Sequence, residues 1–456
     1  MDVATLGASL TGALHLPGDE GWQEGRTLFN AMVERRPAAI ARVADVADVI
    51  ACVDWARASG TQLTVRSAGH SVAGMSLNDG GLVIDVRDLA EVEVDPAARV
   101  ARAGGGAAWA AFDAATQAHG LATTGGRVST TGVVGLTIGG GSGWLERSCG
   151  LACDNLVAVE LVTAAGEHVR ATETERPELL WVHRGGGGNF GVVTALEFRL
   201  HEVGPTVFGG LAAYDPADAP TLLRAFRDFY LDAPEASGLI AAYLTAPAED
   251  FIPAEWQGRL VFAFAGMWNG TVAEGERALR PVLSATAPIA DLFGPIPYAE
   301  LQHMIDDPPG HRNWWTAEYL EALPDEAVDA FVAYAEQMPL GLSQALLAPW
   351  GGAVARGLES ALSKRDAAFV VHPFCVWDSP EEDERTIAWG RAGRDVFAAW
   401  ATGGLYLNFV GDEGEERIRA AFGEHYERLA AVKTEVDPDN VFRGNQNIRP
   451  TGELVV

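Results

Sequence analysis

Three glycine clusters fall within the first 200 residues, each beside a run that reads as a strand or helix: GGGAAW at 104–109, GGGSG at 139–143 and RGGGGNFG at 184–191. Glycine reaches backbone angles closed to other residues and lets the main chain approach a neighbour closely. Clusters spaced like this restrict the region to short elements joined by tight turns, with backbone lying against something else. The intervening sequence agrees. TQLTVRSAG reads as a strand entering a tight loop and GLVIDVRDL as the next strand. DNLVAVELVTAAGE and GVVTALEFRL are two more, and WAAFDAATQAHG is a helix stopped by Gly120.

After about residue 205 the character changes. Longer helices (TLLRAFRDFYLDA, DEAVDAFVAYAEQM, EEDERTIAWGRAGRDVFAAW) alternate with strands (GRLVFAFAGMW, LSQALLAPW, AAFVVHPFCVW), the pattern of an α+β domain with a mostly antiparallel sheet. The last fifty residues read as a strand, YLNFV, then a helix, EHYERLAAVKTEV, ending at Asp437-Pro438. A chain of 456 residues exceeds one ordinary core, so two domains are expected. There is no internal repeat and no low-complexity linker.

Composition removes several classes of function. The formal net charge of −29 argues against nucleic acid, which needs clustered Lys and Arg. No apolar run reaches the roughly 18 residues needed to span a bilayer, and the opening MDVATLGASLTGALHLPGDEGW lacks the pattern of a secretory signal. The four cysteines form no CxxC, and the ten histidines form no HExxH or paired ligand spacing. The expectation is a cytoplasmic protein with no structural metal.

Arg66-Ser67-Ala68-Gly69-His70-Ser71 follows a strand and leaves small residues whose N–H groups can converge on an anion such as a pyrophosphate. Alone, His70 would pass for a surface loop histidine; the neighbouring glycine clusters favour a site. The segment from Gly125 to Gly143 is too glycine-rich for a regular element. Its interleaved Val133, Val134, Leu136 and Ile138 do not suit a flexible linker, so an ordered loop lining a flat polar ring is expected. RGGGGNFG holds a literal GxGxxG at Gly186, Gly188 and Gly191, but a strand follows it where a dinucleotide-binding unit requires a helix, so NAD is not implied.

Taken together, VRSAGHS, GRVSTTGVVGLTIGGGSGWL, GLACDNLVAVELVTAAGE, RGGGGNFGVVT, GGAVAR, YLNF and HYERLAAVKTEVDPDNVFRGNQNIRP resemble the bacterial berberine-bridge-enzyme-like FAD-linked oxidases of the vanillyl-alcohol-oxidase, PCMH-type superfamily, over almost the whole chain. The resemblance implies a two-domain PCMH-type α+β fold. In it, residues 1–205 and 404–456 form the FAD-binding domain, and 206–403 form a central substrate domain with an antiparallel sheet covered by helices. It implies FAD joined covalently to His70. It assigns to the cofactor Arg66, Ser67, Ala68, Gly69, His70 and Ser71; Val128, Thr130, Thr131, Gly132, Gly135, Gly139, Gly140, Gly141 and Gly143; Asn155; Gly191, Val192 and Val193; and Asn445 and Asn447. Some relatives attach flavin a second time through a cysteine eleven positions before the GGG run. Val128 stands there and forms no thioether, so a single link is expected, with Cys149 and Cys153 as ordinary small residues.

On the substrate side, His372 in AAFVVHPFCVW shares a strand face with Val370 and Phe374. A histidine of near-neutral pKa there is a candidate general base, or else a satisfied core residue. Tyr406 in YLNF matches a tyrosine near the flavin in relatives, with Asn408 on the same strand face to orient it; Trp314 and Trp315 are candidates for an aromatic wall. The implied chemistry is an oxidase. His372 or Tyr406 takes the proton from an O–H or N–H, hydride leaves the adjacent carbon, and dioxygen becomes hydrogen peroxide. The alternatives are a dehydrogenase of the same fold with another acceptor, or a flavin-binding protein without turnover.

Overall fold

The computed structural model describes residues 3–404, 406–411 and 414–452. A four-stranded sheet comes first, with Ala39–Arg42, Leu82–Asp85 and Leu63–Arg66 parallel and Ala13–His15 antiparallel at the edge. The helix Val46–Ser59 makes a crossover. Asp45 accepts the Asp48 N–H at its start, and Gly60 closes it in the left-handed conformation at φ +69°. Its buried Val49, Cys52, Val53 and Ala56 pack on Leu63, Leu82 and Ile84.

The second sheet is antiparallel, five strands in the order Val92–Asp95, Val100–Gly104, Val192–Arg199, Leu156–Val162, His168–Thr172. The terminal helix Tyr426–Val436 packs onto it through Leu429, Ala430 and Val432, which share one core with Leu156, Leu196 and Phe198. Lys433 fixes the chain beyond that helix. Fully buried, its Nζ donates to Asp437 Oδ2 (2.5 Å), Asn189 O (2.8 Å) and Phe442 O (2.9 Å). The 445–448 tail is thereby held against the RGGGGNFG loop, where Asn445 Nδ2 donates to Gly188 O and Asn189 Oδ1 accepts from Ile448 N.

Residues 206–377 build a nine-stranded antiparallel sheet, with Phe369–Trp377 paired to Gln344–Pro349 on one side and to Arg312–Trp315 and Glu318–Leu320 on the other. Four amphipathic helices, Ala219–Leu231, Val272–Leu283, Asp325–Ala335 and Asp383–Phe397, cover one face. Phe369, Val371, Cys375 and Trp377 point into that layer, so strand alternation turns Val370, His372 and Phe374 to the opposite face. The architecture is α+β. Among the described residues no helix is long and apolar enough to cross a membrane.

Two local readings are corrected. Val133–Ile138, expected as loop, is a short helix. Val133, Val134 and Thr137 are buried, and Thr137 Oγ1 bonds back to Val133 O (2.7 Å), so the turn forms despite Gly135 within it and glycines at both ends. The YLNFV strand is instead a 3₁₀ turn at Leu407–Phe409, closed by Phe409 N to Tyr406 O (2.9 Å).

Lys433→Ala strands the buried Asp437 carboxylate without its counter-charge, a change that typically costs about 3–5 kcal/mol. A clearly lower denaturation midpoint is expected, measured with FAD in excess; an unchanged midpoint contradicts this role.

Candidate active site

The RSAGHS loop opens where strand Leu63–Arg66 ends. Gly69 adopts φ +81°, and Ser67 Oγ ties the loop to Gly105 O (2.8 Å). Among the described residues, the backbone N–H groups of Ser67, Ala68, Gly69, His70 and Ser71 meet no protein acceptor. Five consecutive unpaired donors form a cradle suited to a phosphate. Arg66 lies behind it, with its Nε buried and unpartnered beside Gly69. Its buried guanidinium donates to Gly25 O and Thr27 O (both 2.8 Å) and lies 3.7 Å from Asp85, bracing the N-terminal segment behind the loop.

The His70 ring is held on a face and both edges. Phe29 stacks on it at 4.3 Å and 21°, Thr130 Oγ1 lies 3.0 Å from Nε2, and Thr131 Oγ1 lies 3.5 Å from Nδ1. Burial pushes its pKa down to about 4 against the opposing pull of Asp306, so the imidazole is neutral at ordinary pH. Gly132 brings the second loop against the first, since a Cβ there would sit 2.8 Å from Ser67 Oγ. Asp306 fastens the same loop from the central part of the chain, accepting from Ser129 N (2.7 Å) and Oγ (2.6 Å).

The GGGSG run serves the protein itself. The expectation of amides free to face a ring is corrected, because those of Gly140, Gly141, Ser142 and Gly143 are all taken. Gly140 N donates to Thr137 O and Gly143 N to Glu146 Oε2, while Gly141 N (2.5 Å) and Ser142 N (2.8 Å) donate to Tyr406 Oη. Asn408 Nδ2 adds a third donor to that oxygen at 3.1 Å and also reaches Leu136 O (2.8 Å). Burial raises the Tyr406 pKa, and the three donors pull it back. Two glycines are dictated by this seat: a Cβ on Gly139 would fall 2.1 Å from Asn408 Oδ1, and one on Gly140, at φ +121°, 2.8 Å from the Tyr406 ring.

His372 is buried, with its ring stacked on Phe409 at 4.4 Å and 9°, and Phe409 in turn meets the Tyr406 ring edge-on at 4.7 Å. Trp315 and Phe374 meet the imidazole edge-on. Because Thr316 O only accepts, Nδ1 carries the proton of their 2.8 Å bond, leaving the Nε2 lone pair without a protein partner among the described residues. Burial lowers the pKa to about 4, which corrects the expectation of a near-neutral base. Trp315 also stands 6.2 Å from Phe29, so an aromatic row joins His70 to His372. Trp314 faces the covering helices, against Gly390 and under Arg391, and is not in that row.

The remaining residues divide. Asn445 and Asn447 line a cleft of about 490 Å³, with Met75 and Asn78 among the residues opposite. Asn447 Oδ1 is buried there with no partner. Val192 and Val193 are buried at the start of their strand, and a Cβ on Gly191 would press on Leu161 at 2.5 Å. Val128 supplies only its carbonyl, to Thr131 N; Gly135 borders open space. Asn155 is spent within the protein, both amide hydrogens on Cys149 O and Leu151 O and its oxygen 2.6 Å from His201 Nε2. Sequence reasoning assigned no role to Phe29, Asp306 or the buried Arg127–Glu146 pair (3.0 Å) beneath the glycine run. Arg127 and Glu146 lie in and after the glycine segment, but Phe29 sits in RTLFNAMVERRP, where nothing local marks it.

An unpaired phosphate cradle beside a neutral histidine, with an orphaned acceptor in the adjoining cleft, fits FAD and defines a flavin-dependent oxidoreductase. Comparison with known proteins agrees: a sequence model for the FAD binding domain matches residues 37–172, and one described as berberine and berberine like matches 405–449. The FAD-linked oxidoreductase YgaK of Bacillus subtilis is 28% identical over 97% of each chain. The 6-hydroxy-D-nicotine oxidase of Arthrobacter nicotinovorans superposes with a TM-score of 0.86 at 27% identity, covering 96% of this chain and 98% of that one. Glucooligosaccharide oxidase from Acremonium strictum, described with a 6-S-cysteinyl, 8α-N1-histidyl FAD, superposes at 0.85 and 22% identity over 98% and 99%. The chain thus carries an FAD binding domain and a berberine-like C-terminal region, and its full-length relatives are FAD-linked oxidoreductases.

Gly140→Val places a branched side chain against the Tyr406 ring and carries about 1–3 kcal/mol of backbone strain. A lower melting temperature with loss of turnover is expected, and unchanged melting would count against the seat described. Acid should also weaken the fold. His183 and His372, both held near pKa 4 by burial, stay neutral while the unfolded chain protonates near 6.5. Their contribution is complete above about pH 6.5 and is lost as pH falls towards 4. Melting temperature against pH measures this, and His183→Phe should flatten part of the slope.

Proposed function

We propose that this chain is an FAD-dependent oxidase that removes hydride from a C–H next to an OH or NH of a small organic substrate, with FAD joined to the protein through His70 alone. The observation that carries the reading is the pair of neutral imidazoles, His70 beside the phosphate cradle and His372 with a free Nε2, at the two ends of one aromatic row.

Bound FAD would supply the two-electron acceptor for the hydride and the route by which those electrons reduce dioxygen to hydrogen peroxide. The residues that would hold it are the amides of 67–71 for the pyrophosphate, His70 for the ring, and Gly132, Val193, Asn445 and Asn447 around the remainder. Val128 offers no second attachment. His372 Nε2 accepts the substrate's O–H or N–H proton, while Thr316 O keeps Nδ1 protonated and the ring aligned. Trp315, Phe374 and Phe409 exclude water and give an alcohol or amine of modest size an apolar surface. Tyr406, its oxygen supplied by three donors, is the other candidate for the proton and orients the substrate through its hydroxyl. In this reading 1–205 and 404–456 carry the cofactor and 206–403 the substrate. The four unpaired cysteines support a cytoplasmic setting.

Acid-precipitated protein should retain yellow colour, with flavin mass on the peptide containing His70; that peptide without added mass defeats the covalent link. His372→Ala should keep its FAD but reduce it about 10²–10⁴-fold more slowly in anaerobic stopped flow. Since the base works only when neutral, the parent rate should be level above about pH 6 and fall as pH drops through about 4. If Tyr406→Phe is crippled and His372→Ala is not, the tyrosine carries the proton.

A further inference from the structure

Phe29 lies outside every motif named above and outside the matched FAD-binding region, yet it forms the floor under His70. Its ring is buried and nearly parallel to the imidazole at 4.3 Å. Its backbone is fastened on both sides, Phe29 N to Gly69 O (3.2 Å) and Gly310 N to Phe29 O (3.2 Å). The next residue extends the tie. Asn30 Nδ2 donates to Val72 O (2.8 Å) and Asn313 O (2.9 Å), while Asn30 Oδ1 accepts from Asn313 N (3.0 Å). Phe29 and Asn30 thus brace the His70 loop against the strand that carries Trp315. At the ring edge, Thr130 Oγ1 engages Nε2.

We propose that Phe29, with Thr130, is the positioning element that presents the His70 ring for its bond to FAD. This rests on covalent attachment at His70. Attachment joins a ring nitrogen to the 8α-carbon of the flavin: one N–C bond forms, one N–H and one 8α C–H bond break, and the two hydrogens with their electrons leave on dioxygen as hydrogen peroxide. A stacked face and a hydrogen-bonded edge hold the nucleophile in line. A misplacement of about 1 Å in such a geometry can cost on the order of 100-fold in rate.

The test uses full-length apoprotein from flavin-starved cells, mixed with FAD in air. Total bound flavin is read after gel filtration and attached flavin after acid precipitation, over time. Phe29→Leu removes the stacked face while keeping apolar bulk, Phe29→Tyr restores the face, and Thr130→Val removes the edge contact at an exposed position. We expect all three to fill with FAD, Phe29→Leu and Thr130→Val to attach it about 10- to 100-fold more slowly, and Phe29→Tyr to match the parent. Parental rates in Phe29→Leu or in Thr130→Val, or equal slowing in Phe29→Leu and Phe29→Tyr, overturn the proposal. If Phe29→Leu does not fold, Thr130→Val and Phe29→Tyr decide it. A parent whose flavin is wholly released by acid overturns the attachment reading itself, a result distinct from any of these.

Discussion

The phenolic oxygen of Tyr406 is the point on which the site depends. It accepts from two consecutive amides of the glycine run and from Asn408, and so joins that run to a stretch about 265 residues further along the chain. The same ring lies edge-on to Trp350 and Phe409, and Phe409 in turn stacks on His372. Remove that oxygen and two buried N–H groups lose their acceptor, each a cost of about 1–3 kcal/mol. The glycines at 139 and 140 follow from this arrangement: they are small because Asn408 and Tyr406 occupy the space a side chain would need.

Around this anchor the active face is nearly free of charge. His70 and His372 are kept neutral by burial, and the walls between them are aromatic. The buried ion pair Arg127–Glu146 lies one layer beneath, where Glu146 steadies the glycine run through Ser142 and Gly143 N. Such a surface offers a substrate few charges to pair with, Asp306 acting on His70 and Arg127 on His372. It suits removal of hydride from a neutral molecule whose one exchangeable proton has somewhere to go.

Much of this was legible in the sequence because the signals were local. Strand runs ending in glycine marked the His70 loop, and strand alternation put His372 on the inner face. The misreadings share a cause. YLNFV has strand composition, but its tyrosine is pinned by partners about 265 residues away, and the chain turns to satisfy them. Gly132 to Gly143 read as loop because glycine was counted, while the buried Val133, Val134 and Thr137 that make the intervening helix were not weighted. Arg66 stands by position at the loop; only the folded chain reveals that Gly25 and Thr27 engage both its terminal nitrogens and leave Nε buried and unpartnered. Phe29 carries no local signal, since its partner is a ring 41 positions on.

The cleft beside the phosphate cradle takes one wall from Met75 and Asn78 and the other from residues 443–449, which Lys433 fastens in place. A chain growing from its N-terminus has its RSAGHS loop long before it has that second wall. A ligand that needs both walls is therefore held only once residues 443–449 have packed against the RGGGGNFG loop.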